Sequence, residues 1–416
     1  MRKFLALALA LVMVLALAAC GGQTNTPANN QPANNEPAAN NEPANNEPAN
    51  NEPANNEPAN NEPAPAATDM KVAMITDYGD ITDQSFNQTT YEAAKGWSEA
   101  NGTDFTYFKP ASDSDEDRVS MIENAIDQGF NVLIMPGYAF APAIVRTVEE
   151  YPDVTFIALD VSEWDLQDAH GTSADFSWSY PSNLYSAVYQ EELCGYMAGY
   201  AAVKLGYTKL GFLGGMAVPA VVRYGYGFVQ GANAAAEADG KTDVTINYAY
   251  GNQFYGDADI TAAMDTWYGA GVEVVFACGG GIYTSAGEAA AKVGGKVIGV
   301  DVDQKGIIDG MYGEGTTVTS AMKGLAATVN TMLTKVKDGS FVGGQVENLG
   351  LVSDDPELNY VQIPLTTQFD DNFTEADYRA LVADMFAGTI TVDNDIAKAA
   401  NDFATAVELT DLGNLK

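Results

Sequence analysis

The sequence predicts an α/β protein of two lobes, each a parallel sheet flanked by helices. Three observations carry this. Strand-like and helix-like segments alternate along the chain from Lys71, the alternation restarts after an interruption near residue 200, and the stretch from Thr24 to about Thr68 is too polar to join a core.

The first series opens at Lys71–Thr76, a short apolar run read as a strand. A helix follows, with Ser85 and Gln88 in capping-box spacing, and ends at Asn101-Gly102. Phe105–Phe108 reads as a second strand. Val119, Ile122 and Ile126 share one helical face, and Gly129 sits where a left-handed stop belongs. Val132–Met135 and Val154–Leu159 read as strands around a helix carrying Ile144, Val145 and Val148. A long helical stretch is expected over Leu184–Lys204. The second series has strands at Lys209–Leu213, Val244–Tyr250, Val272–Ala277 and Lys296–Val300. The tail is expected to return to the lobes, with a helix around Phe373–Phe386 and a last strand at Thr389–Val392. Two β-α-β series in one chain place a cleft between parallel sheets, the architecture of a type I periplasmic-binding-protein fold. The expected organisation is 69–416 as the folded domain, with lobe 1 about 69–200 plus C-terminal returns and lobe 2 about 205–318.

The amino terminus points to export. Arg2 and Lys3 precede an apolar run from Leu5 to Leu17, and Leu17-Ala18-Ala19-Cys20-Gly21 places a cysteine at a small-residue cleavage site. Residues 1–19 read as a signal peptide and Cys20 as a lipidation site. Two acyl chains at roughly 0.8 kcal/mol per buried CH₂ hold a domain on a membrane. Residues 20–68 form a linker dominated by an Asn-Asn-Glu-Pro-Ala repeat, which has almost no large apolar side chain and is expected to stay extended as a spacer.

Composition narrows the function. The net charge is −36, from 56 acidic and 20 basic residues, the reverse of a nucleic-acid-binding footprint. Arg2, Arg118, Arg146, Arg223 and Arg379 are the only arginines, which disfavours phosphate-rich ligands. His170 is the only histidine, no Gly-x-Ser-x-Gly elbow surrounds a serine, and no His/Cys cluster has metal-ligand spacing. Gly279-Gly280-Gly281 follows a strand but lacks a glycine at Thr284 and a Walker lysine. No catalytic residue, metal or cofactor is therefore expected. A hydrolase using carboxylates alone is the enzymatic alternative. Cys194 and Cys278 lie in apolar, small-residue surroundings and read as buried thiols or as a disulfide pair.

Ligands of parallel α/β sheets sit beyond the carboxyl ends of the strands. Those ends carry Asp77, Asp160, Gly279–Gly281 and Asp301. Carboxylate acceptors beside bare backbone suit a neutral, polyhydroxylated ligand. Phe86, in the first turn of a helix facing the expected cleft, is a candidate platform for a planar ring.

The stretch Asp77-Tyr78-Gly79-Asp80-Ile81-Thr82-Asp83-Gln84-Ser85-Phe86-Asn87-Gln88 closely resembles the opening motif of the basic membrane protein family, substrate-binding lipoproteins of ABC transporters that include purine-nucleoside receptors. The resemblance continues in order through Glu191–Gly199, Gly214-Gly215-Met216 with Pro219 and Arg223, Val300–Gln304 and Thr319–Lys323, covering the chain from Lys71 to about Val392. It implies a membrane-tethered, extracytoplasmic receptor, monomeric, that hands a purine nucleoside to an ABC permease and its ATPase. By the same resemblance Phe86 is one of two rings enclosing the base and Asn87 lies beside it. Asp160 holds the purine edge, Asp301 and Lys323 bind ribose hydroxyls, and Gly279 or Gly280 offers backbone contacts. The family's second ring comes from a differently spaced segment. In Gly251–Asp257, Phe254 is the choice for it and Tyr255 the runner-up. The rival expectations are a receptor for another small polar solute, a sugar or an autoinducer-like molecule, and a ligand-sensing surface lipoprotein.

Overall fold

The computed structural model describes residues 69–416. The expected signal peptide, Cys20 and the repeat linker lie outside them. In chain order the first series is β1 (Lys71–Ile75), α1 (Phe86–Asn101), β2 (Asp104–Phe108), α2 (Asp115–Asp127), β3 (Val132–Pro136), α3 (Ala141–Thr147), β4 (Thr155–Leu159), α4 (Glu163–His170) and β5 (Leu184–Tyr189). The second is α5 (Glu191–Lys204), β6 (Lys209–Gly214), α6 (Pro219–Asp239), β7 (Thr245–Tyr250), α7 (Ala258–Gly269), β8 (Val274–Cys278), α8 (Tyr283–Val293), β9 (Lys296–Asp301), α9 (Lys305–Tyr312) and β10 (Thr317–Lys323). Then come α10 (Leu325–Lys337), β11 (Gln345–Leu349), β12 (Val361–Gln362), α11 (Glu375–Phe386) and β13 (Glu408–Asn414).

Two sheets result. One has the order β11-β5-β4-β3-β1-β2 and is parallel throughout. The other runs β12-β10-β9-β8-β6-β7-β13 and is parallel except for β12. Central strands covered on both faces must be apolar on both, and every residue of β3 (VLIMP) and β8 (VVFAC) is buried. The lobes share the doubly wound order, β2-β1-β3-β4-β5 and β7-β6-β8-β9-β10. Their strand carboxyl ends therefore face a common cleft.

The chain passes between the lobes at Gln190, Gly324 and Gly350, and these crossings are tied together. Gln190 N–H donates to Leu349 O (3.0 Å), Gly324 N–H to Tyr360 O (2.7 Å) and Tyr360 N–H to Gly350 O (3.1 Å). Helix α10 returns to the first lobe and packs on α1, with Trp97 Nε1 donating to Thr334 Oγ1 at 2.9 Å.

Five expectations need correction. Leu184–Lys204 is not one helix: its first six residues form β5, and no glycine or proline in the sequence marks the break at Gln190. The change of lobe consequently falls at residue 190 rather than near 200, because α5 packs on α6. There, glycines at 195, 199, 227 and 231 let the backbones meet, and an added Cβ at Gly227 would overlap the Glu192 carbonyl. The second lobe also runs past 318, through β10 and then β12, α11 and β13. Thr389–Val392 is no strand; this β-branched segment belongs to a strap tied to α6, with Gln230 bonded both ways to Asp393, and the last strand is β13. Finally, Ser85 does not cap α1. Asp83 does, accepting from the N–H groups of Ser85 (2.9 Å), Asn87 (2.9 Å) and Gln88 (3.0 Å), while Gln88 Oε1 accepts from Gln84 N–H. Gly102, in the left-handed region at φ 65°, ends the helix as expected. Cys194 and Cys278 are buried and free.

Candidate functional site

A cavity of about 540 Å³ lies between the lobes. Asp77, Phe86, Asn87, Asp160, Phe254, Gly279, Gly280, Asp301 and Lys323, the residues singled out from sequence, all line it.

Asp77 follows β1. Its Oδ1 accepts from the N–H groups of Tyr78 and Gly79, both at 2.6 Å. Burial raises its pKa against those bonds. Asn87 is buried beside it, with Nδ2 3.4 Å from Asp83 Oδ2 and Oδ1 without a partner. Burial also lifts Asp83 to about 6, with the Asp301 charge adding to the rise.

Lys323, at the end of β10, is the electrostatic centre. Its side chain is 3% exposed, and Nζ lies 2.5 Å from Asp160 Oδ2 and 3.6 Å from both Glu191 Oε1 and Asp301 Oδ1. The same nitrogen stands 4.7 Å from the Phe86 ring centre and 5.7 Å from those of Tyr189 and Tyr224. Burial alone would depress the Lys323 pKa; the three carboxylates overcome it and hold the ammonium charged. Burial takes Asp160 up to about 6 even with Lys323 beside it. Asp160 thus stands with Lys323 and Asp301 in one cluster, and its Oδ1 is buried without a partner. Asp160 (φ 61°) and Asp301 (φ 65°) both occupy the left-handed region, uncommon for residues other than glycine. Asp301 also accepts from Ser85 Oγ at 2.5 Å and Tyr224 OH at 3.3 Å.

Phe254 packs closely on backbone: a Cβ at Gly215 would collide with its ring, and one at Gly279 would come within 3.1 Å of it. Its centroid lies 6.5 Å from that of Tyr78. Tyr255 also lines the cavity but is 61% exposed, at its lip.

Sequence reasoning passed over Glu191, Arg223, Tyr224 and Asp83. Glu191 is fully buried, linked to Lys323 and bonded to Arg223 Nε at 2.7 Å. The available signal was an adjacent pair of acids, Glu191-Glu192, at the head of an otherwise apolar, small-residue helix. Burial raises Glu192 to about 7. His170 stacks on Trp178 at 4.7 Å and does not line the cavity. Among the described residues no group of three or more His, Cys, Asp or Glu side chains could hold a metal.

Two doubly wound lobes enclosing a mostly apolar, part-aromatic cavity with a buried charged cluster define a solute-binding protein. Solved solute-binding proteins of ABC transporters share the fold. The one from Aeropyrum pernix K1 has a TM-score of 0.59 at 20% identity, covering 80% of this chain and 90% of that one. The one from Conexibacter woesei DSM 14684 has a TM-score of 0.60 at 22% identity, covering 78% and 99%. The family model described as ABC transporter substrate-binding protein, PnrA-like, matches residues 70–377, and the chain belongs to this Bmp family of substrate-binding proteins, which are not enzymes. It is 30% identical over 301 residues to the ABC transporter nucleoside-binding protein BmpA of Lactococcus lactis subsp. cremoris, covering 68% of this chain and 80% of the relative.

Proposed function

We propose that this substrate-binding protein captures a purine nucleoside between its lobes and delivers it to an ABC permease from the outer face of the membrane. The observation that carries the reading is the juxtaposition in one cavity of aromatic rings with a buried Lys323–Asp160–Asp301 cluster. The cluster offers both donors and acceptors, which suits vicinal hydroxyls. Phe86 and Phe254 supply faces for the base, and the unpartnered Asn87 Oδ1 supplies an acceptor for a base N–H. The nucleoside-binding relative at 30% identity favours the same ligand class.

Binding removes the base from water between rings and exchanges the hydration of ribose hydroxyls for fixed carboxylate and ammonium partners. Lys323 offsets part of the negative charge of Asp160 and Asp301, while Arg223 pairs with Glu191. Residues 1–19 act as the signal peptide, Cys20 carries the lipid and 20–68 spaces the receptor from the membrane. No helix of the described residues is long and apolar enough to cross a membrane.

A thermal-shift screen of nucleosides, bases, nucleotides and sugars tests the ligand. At 100 times the dissociation constant a bound nucleoside adds about 2.7 kcal/mol. Stabilisation by sugars alone removes the rings from the site. In titration calorimetry, Phe86→Ala and Phe254→Ala should each weaken nucleoside binding by about 1–3 kcal/mol. Unchanged affinity in both contradicts the ring assignment. Cys20→Ser should release the protein from the membrane into the medium.

A further inference from the structure

Gln304 does not line the cavity, yet it joins the two lobes beside it. It is 1% exposed at the start of α9. Its Oε1 accepts from Val300 N–H at 2.9 Å and its backbone N–H donates to Ser320 Oγ at 3.1 Å, which fixes the carboxamide on the second lobe. Nε2 then donates across the cleft to Gln84 O on the first lobe, at 3.0 Å. One residue on, Ser85 Oγ donates back to Asp301 Oδ2 at 2.5 Å, and Ser85 is fully buried. Gln84 itself is in the left-handed region at φ 57°, an uncommon conformation that its neighbours must hold. The next two residues are Phe86 and Asn87, and Asp83 caps the helix that carries them.

We propose that Gln304 is a positioning residue for solute capture: through the Gln84 carbonyl, and in concert with the Ser85–Asp301 bond, it clamps the loop that presents Phe86 and Asn87, so that solute leaves only when this two-bond latch opens. A latch formed after the solute has entered governs dissociation and leaves association almost untouched. Opening the cleft exposes both donors to water and frees Gln84 to relax, which makes the latch all-or-none. The inference rests on the cavity above being the solute site, and not on which solute occupies it.

The test uses the full chain with Cys20→Ser, so that spin labels enter only at Glu163→Cys on one lobe and Glu288→Cys on the other, both exposed positions. Cys194 and Cys278 are buried. Two variants break the latch from opposite sides, Gln304→Met and Ser85→Ala, so the failure of one to fold leaves the other. Inter-lobe distances are measured by pulsed electron paramagnetic resonance without solute and with saturating guanosine or inosine. Guanosine association and dissociation are followed by stopped flow. The expected result is a shift to longer distances in both variants. Dissociation should also be faster by about tenfold, the factor equivalent to one buried hydrogen bond of about 1.4 kcal/mol, with association within about twofold. Distance distributions identical to those of the parent chain in every condition overturn the proposal, as does a loss of affinity that lies wholly in association. If the parent chain binds no purine nucleoside, the ligand reading fails by itself, and the same distances and rates measured with the solute that stabilises the parent chain in the thermal-shift screen decide on the latch.

Discussion

Replacing Lys323 with methionine removes one ammonium from among three carboxylates and keeps the volume of the side chain. At an effective dielectric constant of about 20, each contact at 3.6 Å is a gross attraction of about 5 kcal/mol, partly offset by the cost of burying the ammonium. Removing one partner of a buried pair costs about 3–5 kcal/mol, because the remaining charges stay buried without compensation. Lys323→Met should therefore lose about 3–5 kcal/mol at pH 8. That loss must depend on pH in one direction. Asp160 already has a folded-state pKa of about 6, above its ordinary 3.8, and loses its lowering neighbour in the variant. An acid whose folded pKa is raised binds more protons folded than unfolded, so its penalty shrinks as pH falls through that value. The variant should accordingly recover much of the deficit at pH 5. Guanidinium unfolding followed by tryptophan fluorescence, at pH 8 and pH 5 on parent and variant, measures both quantities. A deficit below about 1 kcal/mol at pH 8, or one no smaller at pH 5, refutes charge balance as the basis of the cluster.

The parent protein should also gain stability as pH falls from about 7.5 to about 5. Asp83 and Asp160 (each about 6), Glu192 (about 7) and Asp77 all have folded pKa values above their ordinary ones and take up protons on folding. Below about pH 4 the depressed carboxylates Asp257 (about 2), Asp239 and Asp80 reverse the trend. Melting temperatures across pH 3–8 check the profile, and a maximum at or above pH 7.5 contradicts it. In the same assay Gly227→Ala should destabilise by about 3 kcal/mol, since its methyl would meet the backbone of Glu192, whereas Gly310→Ala, with open space around it in α9, should gain about 0.5–1 kcal/mol.

The strands were legible where alternation of short apolar runs with helical spacing was clean, as at Lys71–Ile75 and Val274–Cys278. So were the cavity residues that sit directly after such strands. What sequence could not supply was non-local. Nothing in Leu184–Lys204 marks Gln190 as a break, because the tyrosines and valine of β5 are compatible with a helix until β4 and β11 claim them. Ser85 has the spacing of a cap, but the Asp301 carboxylate from the other lobe takes its hydroxyl and leaves the capping to Asp83. Glu191 was visible as an acid in an apolar helix, yet its partners Lys323 and Arg223 lie 132 and 32 residues away in the chain. The roles of Asp160, Asp301 and Lys323 came from resemblance alone, and no spacing in the sequence shows that Lys323 meets both aspartates.

Asp160 and Asp301 stand at the carboxyl end of the fourth strand of their respective lobes, and each has φ in the left-handed region there. The cluster is in this sense built from both lobes: an aspartate at the same strand end of each meets a single ammonium. Because Asp160 comes from one lobe while Asp301 and Lys323 come from the other, the full set of ion pairs exists only while the two sheets stand together, and the charge balance of the cluster is tied to the spacing of the lobes.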